Sequence, residues 1–206
     1  MVKIMLPCLI AAAGAAASEV VTLTPVQDAY ICDCKPDSTN PNGGPTHIYF
    51  GRYGSCYDRT LIEWDLSSLP PGAIVESAVM RFYCFSFYGA LSGQPVFYLV
   101  DEPWSEYDVT LNTQPDYGTT PSASGTWPAA HTWFEQDVTA FVQAWAGGSH
   151  PNHGVYCTST GTTATCVPGF WSKDSGDESL WPQLVVTYSM ADLDGETWAE
   201  IKASEE

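Results

Sequence analysis

Between positions 20 and 188 the chain is a succession of short apolar runs, each ended by glycine, proline or asparagine within about ten residues. That punctuation leaves no room for long helices, and it constrains the fold more than any other feature. Segments 20–24, 28–32, 46–50, 60–65, 74–88, 96–100, 155–157, 169–172 and 183–188 read as strands. The stretch 35–45, KPDSTNPNGGP, reads as a loop, and Pro70, Pro71 and Gly72 form the tip of a turn. In 74–88, strict alternation puts Ala78, Met80, Phe82 and Cys84 on one face, and Val79, Tyr83, Phe85 and Phe87 on the other. One segment has a different period. Val138, Phe141, Val142 and Trp145 fall at i, i+3, i+4 and i+7, which predicts an amphipathic helix over about 137–146. Asp137 stands in the N-cap position, and Gly147 and Gly148 stand where a helix stops. The expected fold is all-β, a jelly-roll β-sandwich closed at one end by that short helix.

A length of 206 residues suits one domain with its own core. The charge is lopsided, with 24 acidic residues against 7 basic and a net charge of −17. Such a surface repels phosphate backbones and anionic lipid, so nucleic acid is excluded as a partner and peripheral membrane binding is disfavoured. At the N-terminus, Lys3, an apolar run of about ten residues and Ala15-Ala16-Ala17 have the layout of a secretory signal. The expectation is a signal peptide at 1–17, a domain at 18–189 and an acidic tail at 190–206, in which Trp198 and Ile201 fall at helical spacing. The mature chain is then extracellular or attached to a cell surface, with no membrane insertion once the signal is removed. The tail offers a contact for self-assembly or for a partner protein.

Cysteine usage fits export. With Cys8 lost in the signal, Cys32, Cys34, Cys56, Cys84, Cys157 and Cys166 remain, an even set that predicts three disulfides. Zinc is disfavoured because the C-x-C and C-x8-C spacings build no paired knuckles. Cys157 and Cys166 flank a Gly/Thr-rich turn and are expected to pair locally. Cys34–Cys56 and Cys32–Cys56 both remain open.

Motifs of established enzyme classes are missing: there is no G-x-S-x-G, H-E-x-x-H, P-loop or dinucleotide fingerprint. Carboxylate pairs for glycoside cleavage could be assembled from Glu63, Asp65, Glu102 and Glu135, as chance allows in an acidic chain. His150 and His153 share a loop, and the bland reading of them as loop polar groups is preferred to metal binding. Asp28, with Asp174 and Asp177 in the loop 173–179, supplies carboxylates suited to a structural Ca2+; no cofactor is otherwise required.

Several stretches carry a resemblance. Asp28-Ala29-Tyr30-Ile31 resembles an opening strand, and Asp58-Arg59-Thr60-Leu61-Ile62-Glu63-Trp64-Asp65-Leu66-Ser67-Ser68-Leu69-Pro70 a second strand and its turn. Trp104-Ser105-Glu106 with Val109-Thr110-Leu111-Asn112, Trp133 through Trp145, Asn152-His153-Gly154, Phe170-Trp171-Ser172 and 182–188 extend the match. Together they resemble the DNRLRE domain family, which is similar to an alginate-type carbohydrate-binding module family and to repeats of disaggregatase-like surface proteins. Leu111 replaces the usual tryptophan, and the six mature cysteines are not a family feature. The resemblance implies a jelly-roll accessory module. It also makes Trp104, Trp133, Trp145 and Trp171 core residues.

The expected function is therefore non-catalytic binding of an extracellular polysaccharide or cell-surface glycan. Sugar rings stack on flat aromatic side chains with polar groups at the rim. The candidate residues are Tyr83, Phe85 and Phe87 at strand spacing, Arg81 beside them as a partner for a uronate carboxylate, and Trp104, Tyr107 and Trp127 in polar loops. The alternatives are a structural subunit of an extracellular assembly and a small polysaccharide-cleaving enzyme.

Overall fold

Alternating apolar residues in short runs produce strands that each bury one side, and two such layers face to face satisfy them all. The computed structural model describes residues 17–41, 44–120 and 123–190. Its strands are β1 (Glu19–Leu23), β2 (Pro25–Cys32), β3 (His47–Tyr49), β4 (Gly51–Tyr53), β5 (Cys56–Trp64), β6 (Ala73–Gly89), β7 (Gln94–Leu99), β8 (Ala123–Ser124), β9 (Thr132–Asp137), β10 (Val155–Thr160), β11 (Cys166–Trp171) and β12 (Gln183–Met190). One helix, α1 (Thr139–Ala146), lies between β9 and β10. The signal segment lies outside the described residues except for Ala17, and the tail lies outside them except for Met190, so the expected helix at Trp198 and Ile201 is not described.

All pairings are antiparallel. The 17-residue β6 is the spine of the first layer. On one edge it pairs first with β12 and then with β11, and on the other with β9. β1 extends this layer beside β12, and β3 extends it beside β11. The second layer is centred on β5, with β2 on one edge, β10 and then β4 on the other, and β7 and β8 beyond β10. The architecture is an all-β sandwich with one short helix, as the sequence predicts. β4, β8 and β9 are absent from the sequence expectation. β4 and β8 are too short for a periodic signal, and β9 precedes the helix without a break.

The inter-sheet core holds the face of β6 predicted to be apolar: Ala78, Met80, Phe82 and Cys84 are fully buried. Phe50 sits among Phe82, Phe97, Phe134 and Phe170, stacked on Phe170 at 4.9 Å. Gly51 follows Phe50 where the chain passes from β3, paired to β11, to β4, paired to β5. Its φ is +139°, and a Cβ there would lie 2.4 Å from the Cys166 carbonyl oxygen, so only glycine can make this crossing.

The helix starts two residues later than the sequence expectation. Val138, not Asp137, is the N-cap and makes no side-chain cap bond; Asp137, at the end of β9, accepts from the Thr139 N–H at 2.8 Å. Phe141, Val142 and Trp145 are buried as the period requires, and Gly148 leaves at a φ of +70°.

The cysteine expectation needs correction. Cys34–Cys56 is formed, but Cys157 and Cys166 are free and buried, as are Cys32 and Cys84. The turn between Cys157 and Cys166 is not a hairpin. β10 joins the second layer, where Cys157 pairs with Thr60 and Phe97, whereas β11 joins the first, where Cys166 pairs with Gly89.

A second core lies outside the second layer. Ala29, Ile31, Leu61 and Tyr156 point away from the first sheet and are covered by residues 101–117. This segment leaves and rejoins the end of β7. Val100 bridges to Tyr117, and the Gly118 N–H donates to the Leu99 carbonyl. It is a closed loop packed by its own side chains, with Val109 buried and Trp104, Leu111 and Tyr117 against the sheet.

Candidate functional site

Among the described residues, the outer face of the first layer has no such cover. Tyr83 on β6 stands opposite Trp133 on β9, with the rings edge to face at 5.5 Å. Two residues along β6, Phe85 meets Trp171 of β11 at 4.6 Å, and both lie 4.9 Å from His47 of β3. Tyr49 continues the row, 6.2 Å from Phe85. All of these side chains are partly exposed. Arg81 lies over the Trp133 ring at 4.7 Å, donates to Glu135 Oε1 at 2.9 Å and donates to Gln183 at 3.0 Å. The result is an aromatic patch across four strands, its rings tilted or edge to face, with a polar rim, a surface on which ring C–H faces can pack while hydroxyls reach polar groups. Burial lowers the His47 pKa from its ordinary value, so the ring is neutral at neutral pH and stacks as an apolar plane.

Four of the aromatic expectations separate from this face. β11 pairs Gly169 with Ser86 and Phe170 with Cys84, leaving Phe85 as an extra residue on β6. This bulge reverses the alternation beyond it. Phe87 therefore joins Trp127, itself packed on the inter-sheet core, while Tyr88 takes the exposed side. Trp127 is held by its indole N–H, which donates to the Ser92 carbonyl. Trp104 belongs to the cover of the second core, and its indole N–H donates to the His153 carbonyl at 2.9 Å. Tyr107 is the exposed tip of that cover.

Trp133 and Trp171, expected in the core, are instead partly exposed members of the outer row; Trp145 is the core residue. Sequence reasoning missed His47 and Tyr49 altogether. Their signal was the alternation in 47–49, where Ile48 points inward.

The three carboxylates expected at a calcium site do not all meet. Asp28 and Asp174 line a cavity of about 270 Å3 together with Glu106. Asp177 turns away to cap a short 3-10 turn, accepting from the Ser179 N–H and hydroxyl. Asp28 is buried, with its carboxylate accepting from the Ser172 hydroxyl at 2.6 Å and the Lys173 N–H at 2.8 Å. Burial raises its pKa to about 7, more than these donors and the Lys173 charge lower it. The Lys173 ammonium lies 3.0 Å from both Glu106 and Asp174. Burial alone would lower the lysine pKa, but these carboxylates outweigh it and hold the pKa above the ordinary value. The positive charge among the acids is thus supplied by the chain itself. A calcium ion does not fit this arrangement without displacing the ammonium.

The carboxylates considered for catalysis are each tied to a local partner. Glu63 accepts from Gln27, Asp65 from Ser67, Glu102 from the Asp116 N–H and Glu135 from Arg81. The Asp65 carboxyl is pushed below its ordinary value by the Ser67 hydroxyl and N–H, the wrong direction for a general acid. Both ring nitrogens of His150 are also engaged, one with Asp101 at 2.9 Å and one with the Pro151 carbonyl.

Against this geometry stands one comparison. Residues 19–188 match the model of carbohydrate-binding module family 96, so the chain belongs to that family. The match covers the whole sandwich and supports the carbohydrate-binding side of the resemblance read from the sequence. No curated protein matches the chain.

Proposed function

We propose that this member of carbohydrate-binding module family 96 is a secreted, non-catalytic module that holds an extracellular polysaccharide on the outer face of its first sheet. The observation that supports this reading is a pair of aromatic groups, Trp133–Tyr83 and Phe85–Trp171–His47, partly exposed on neighbouring strands of one sheet face. Its members stand on strands rather than on loops, so the platform is preorganised and little entropy is lost on binding. The Cys34–Cys56 disulfide, which ties the loop after β2 to the start of β5, is compatible with an oxidising compartment.

A glycan array followed by titration of the purified protein tests the proposal. The expected outcome is micromolar or weaker binding, with no release of reducing ends. A Tyr83→Ala, Phe85→Ala double variant is expected to fold and to lose binding at least tenfold, about 1.4 kcal/mol. A blank array from a protein that polymerises would replace this reading with that of a structural subunit.

A further inference from the structure

Cys32, Cys34 and Cys56 all line one cavity of about 440 Å3, which shares Tyr49 with the aromatic row. The C-x-C spacing leaves two partners open for Cys56, and the fold puts both close to it. Cys34 holds the bond, with the Cα atoms 5.4 Å apart. Cys32 stands opposite Asp58 in the register of β2 and β5, and Cys56 precedes Asp58 by two residues on β5. The three side chains therefore share one face of the sheet. The sulfurs of Cys32 and Cys56 and a carboxylate oxygen of Asp33 lie within 4.8 Å of one another.

The cysteines differ in exposure. Cys32 is only 2% exposed, whereas Cys34 lies at the surface. A free thiol is thus held inside, next to a disulfide whose far end is outside. Asp58 completes the group. It is buried, and the Cys32 thiol shares a hydrogen bond with its carboxylate, whose Oδ1 has no further donor among the described residues. Arg59 is turned to Asp33, 3.7 Å away, and to the Tyr57 carbonyl. Tyr30, Tyr49, Tyr53 and Tyr88 wall the cavity with Lys35, whose ammonium donates to the Pro41 carbonyl. Burial raises the Asp58 pKa. Burial also raises that of Cys32, with the Asp58 charge adding to it and the Cys34 N–H opposing it. Both groups favour their neutral forms, so a proton passes from the thiol to this carboxylate more readily than to an ordinary one. The Cys34 N–H stands ready to stabilise the thiolate that is left.

We propose that Cys32, Cys34 and Cys56 form a thiol–disulfide exchange site, in which Cys32 displaces Cys34 from Cys56 and a buried thiol is traded for an exposed one. Cys32 gives its proton to Asp58, and its sulfur lone pair forms the bond to Cys56 Sγ. The Cys34–Cys56 bond breaks, its electron pair goes to Cys34 Sγ, and the proton ends there. One thiol and one disulfide are used and one of each is made, so neither oxidant nor reductant is needed. The emerging Cys34 thiol, at the surface and on the cavity, is the end that meets a soft electrophile or a small disulfide.

A maleimide added to the folded, unreduced protein traps the exposed thiol, and peptide mapping locates the label and the disulfide. The expected product carries the label on Cys34 and a Cys32–Cys56 bond, accumulating with time even if the exchanged form is a minor one. Cys32→Ser is expected to leave Cys34 unlabelled. Asp58→Asn is expected to slow labelling at least about tenfold by removing the proton acceptor. Cys34→Ser, which needs no buried change, is expected to form the Cys32–Cys56 bond in a glutathione redox buffer. Equal labelling of Cys34 in Cys32→Ser would overturn the proposal, as would label on Cys32 with Cys34–Cys56 intact. A Cys34→Ser protein that keeps Cys32 and Cys56 both reduced in that buffer would overturn it too.

Discussion

Tyr83, Phe85, Trp133 and Trp171 lie partly exposed on the outer face of the first sheet, whereas Tyr156 on the outer side of the second is fully buried beneath a loop, with Tyr98 and Tyr117 packed against that second core. Both surfaces are aromatic, and both are built on strands of similar alternation. What separates them is a single excursion of the chain. Residues 101–117 fold back over the second sheet, where Tyr117 stacks on Tyr156 at 4.0 Å and Trp104 closes the edge. The covered face contributes to stability, while among the described residues the other stays open. Aromatic content alone therefore does not mark a binding surface; what matters is whether another part of the chain gains more by covering it than it loses in loop entropy.

The largest test of this difference is Trp104→Ala. Removing the indole uncovers the second core and strips the His153 carbonyl of its donor, at a cost of about 3 kcal/mol in denaturant unfolding. Glycan binding by the folded fraction is expected to be unchanged. The Tyr83→Ala, Phe85→Ala variant should show the reverse pattern, a clearly smaller loss of stability with loss of binding. Equal destabilisation by both variants would mean that the first face is also core.

A second effect concerns the rim of the covered face, where Asp28 accepts from Ser172 and Lys173. Asp28 holds its proton up to about pH 7 in the folded state, against an ordinary value of 3.8. Between those values the native state binds the proton and the unfolded state does not, so stability falls as pH rises across the window. Urea midpoints measured from pH 4 to pH 8 are expected to decline, and an Asp28→Asn variant to flatten the profile. Because Lys173 already supplies the cation among these carboxylates, chelator is expected to leave the melting temperature unchanged. A rise with calcium would show that the ion displaces the ammonium.

The smallest effect belongs to the open face. The His47 pKa lies below its ordinary value of 6.5 because burial disfavours the imidazolium. Just below pH 6.5 the unfolded state takes up the proton first, so stability rises with pH through that window and the loss on acidification is complete below the folded pKa. A charge between Phe85 and Trp171 also disturbs the platform. Glycan affinity is expected to weaken slightly as pH falls through the same range, and His47→Gln to remove that dependence.

How much of this was legible can be read from particular residues. Phe82 and Cys84 were placed inward by a period of two, and they are inward. Val138, Phe141, Val142 and Trp145 gave the helix because only a period of 3.6 gathers them on one side. Cys157 and Cys166 looked like partners because they flank a turn, but sequence distance does not say that the strands on either side enter different layers. Tyr83 and Phe85 were assigned to the correct face, while Phe87 was lost to a bulge with no signature in the local sequence. Tyr53 drew no attention, since a lone tyrosine is an ordinary residue until other elements converge on it.

By itself, the sequence determined the fold class, most of the strands, the helix and the inward face of β6. Those follow from local periodicity and turn chemistry, which act over a few residues. The tertiary structure alone decided which aromatic face stays open, which cysteines pair, and that four tyrosines from β2, β3, β4 and β6 enclose one buried carboxylate. These depend on contacts between segments far apart in the chain, and pairing energies of that kind are set by register and layer, which no short stretch of sequence contains.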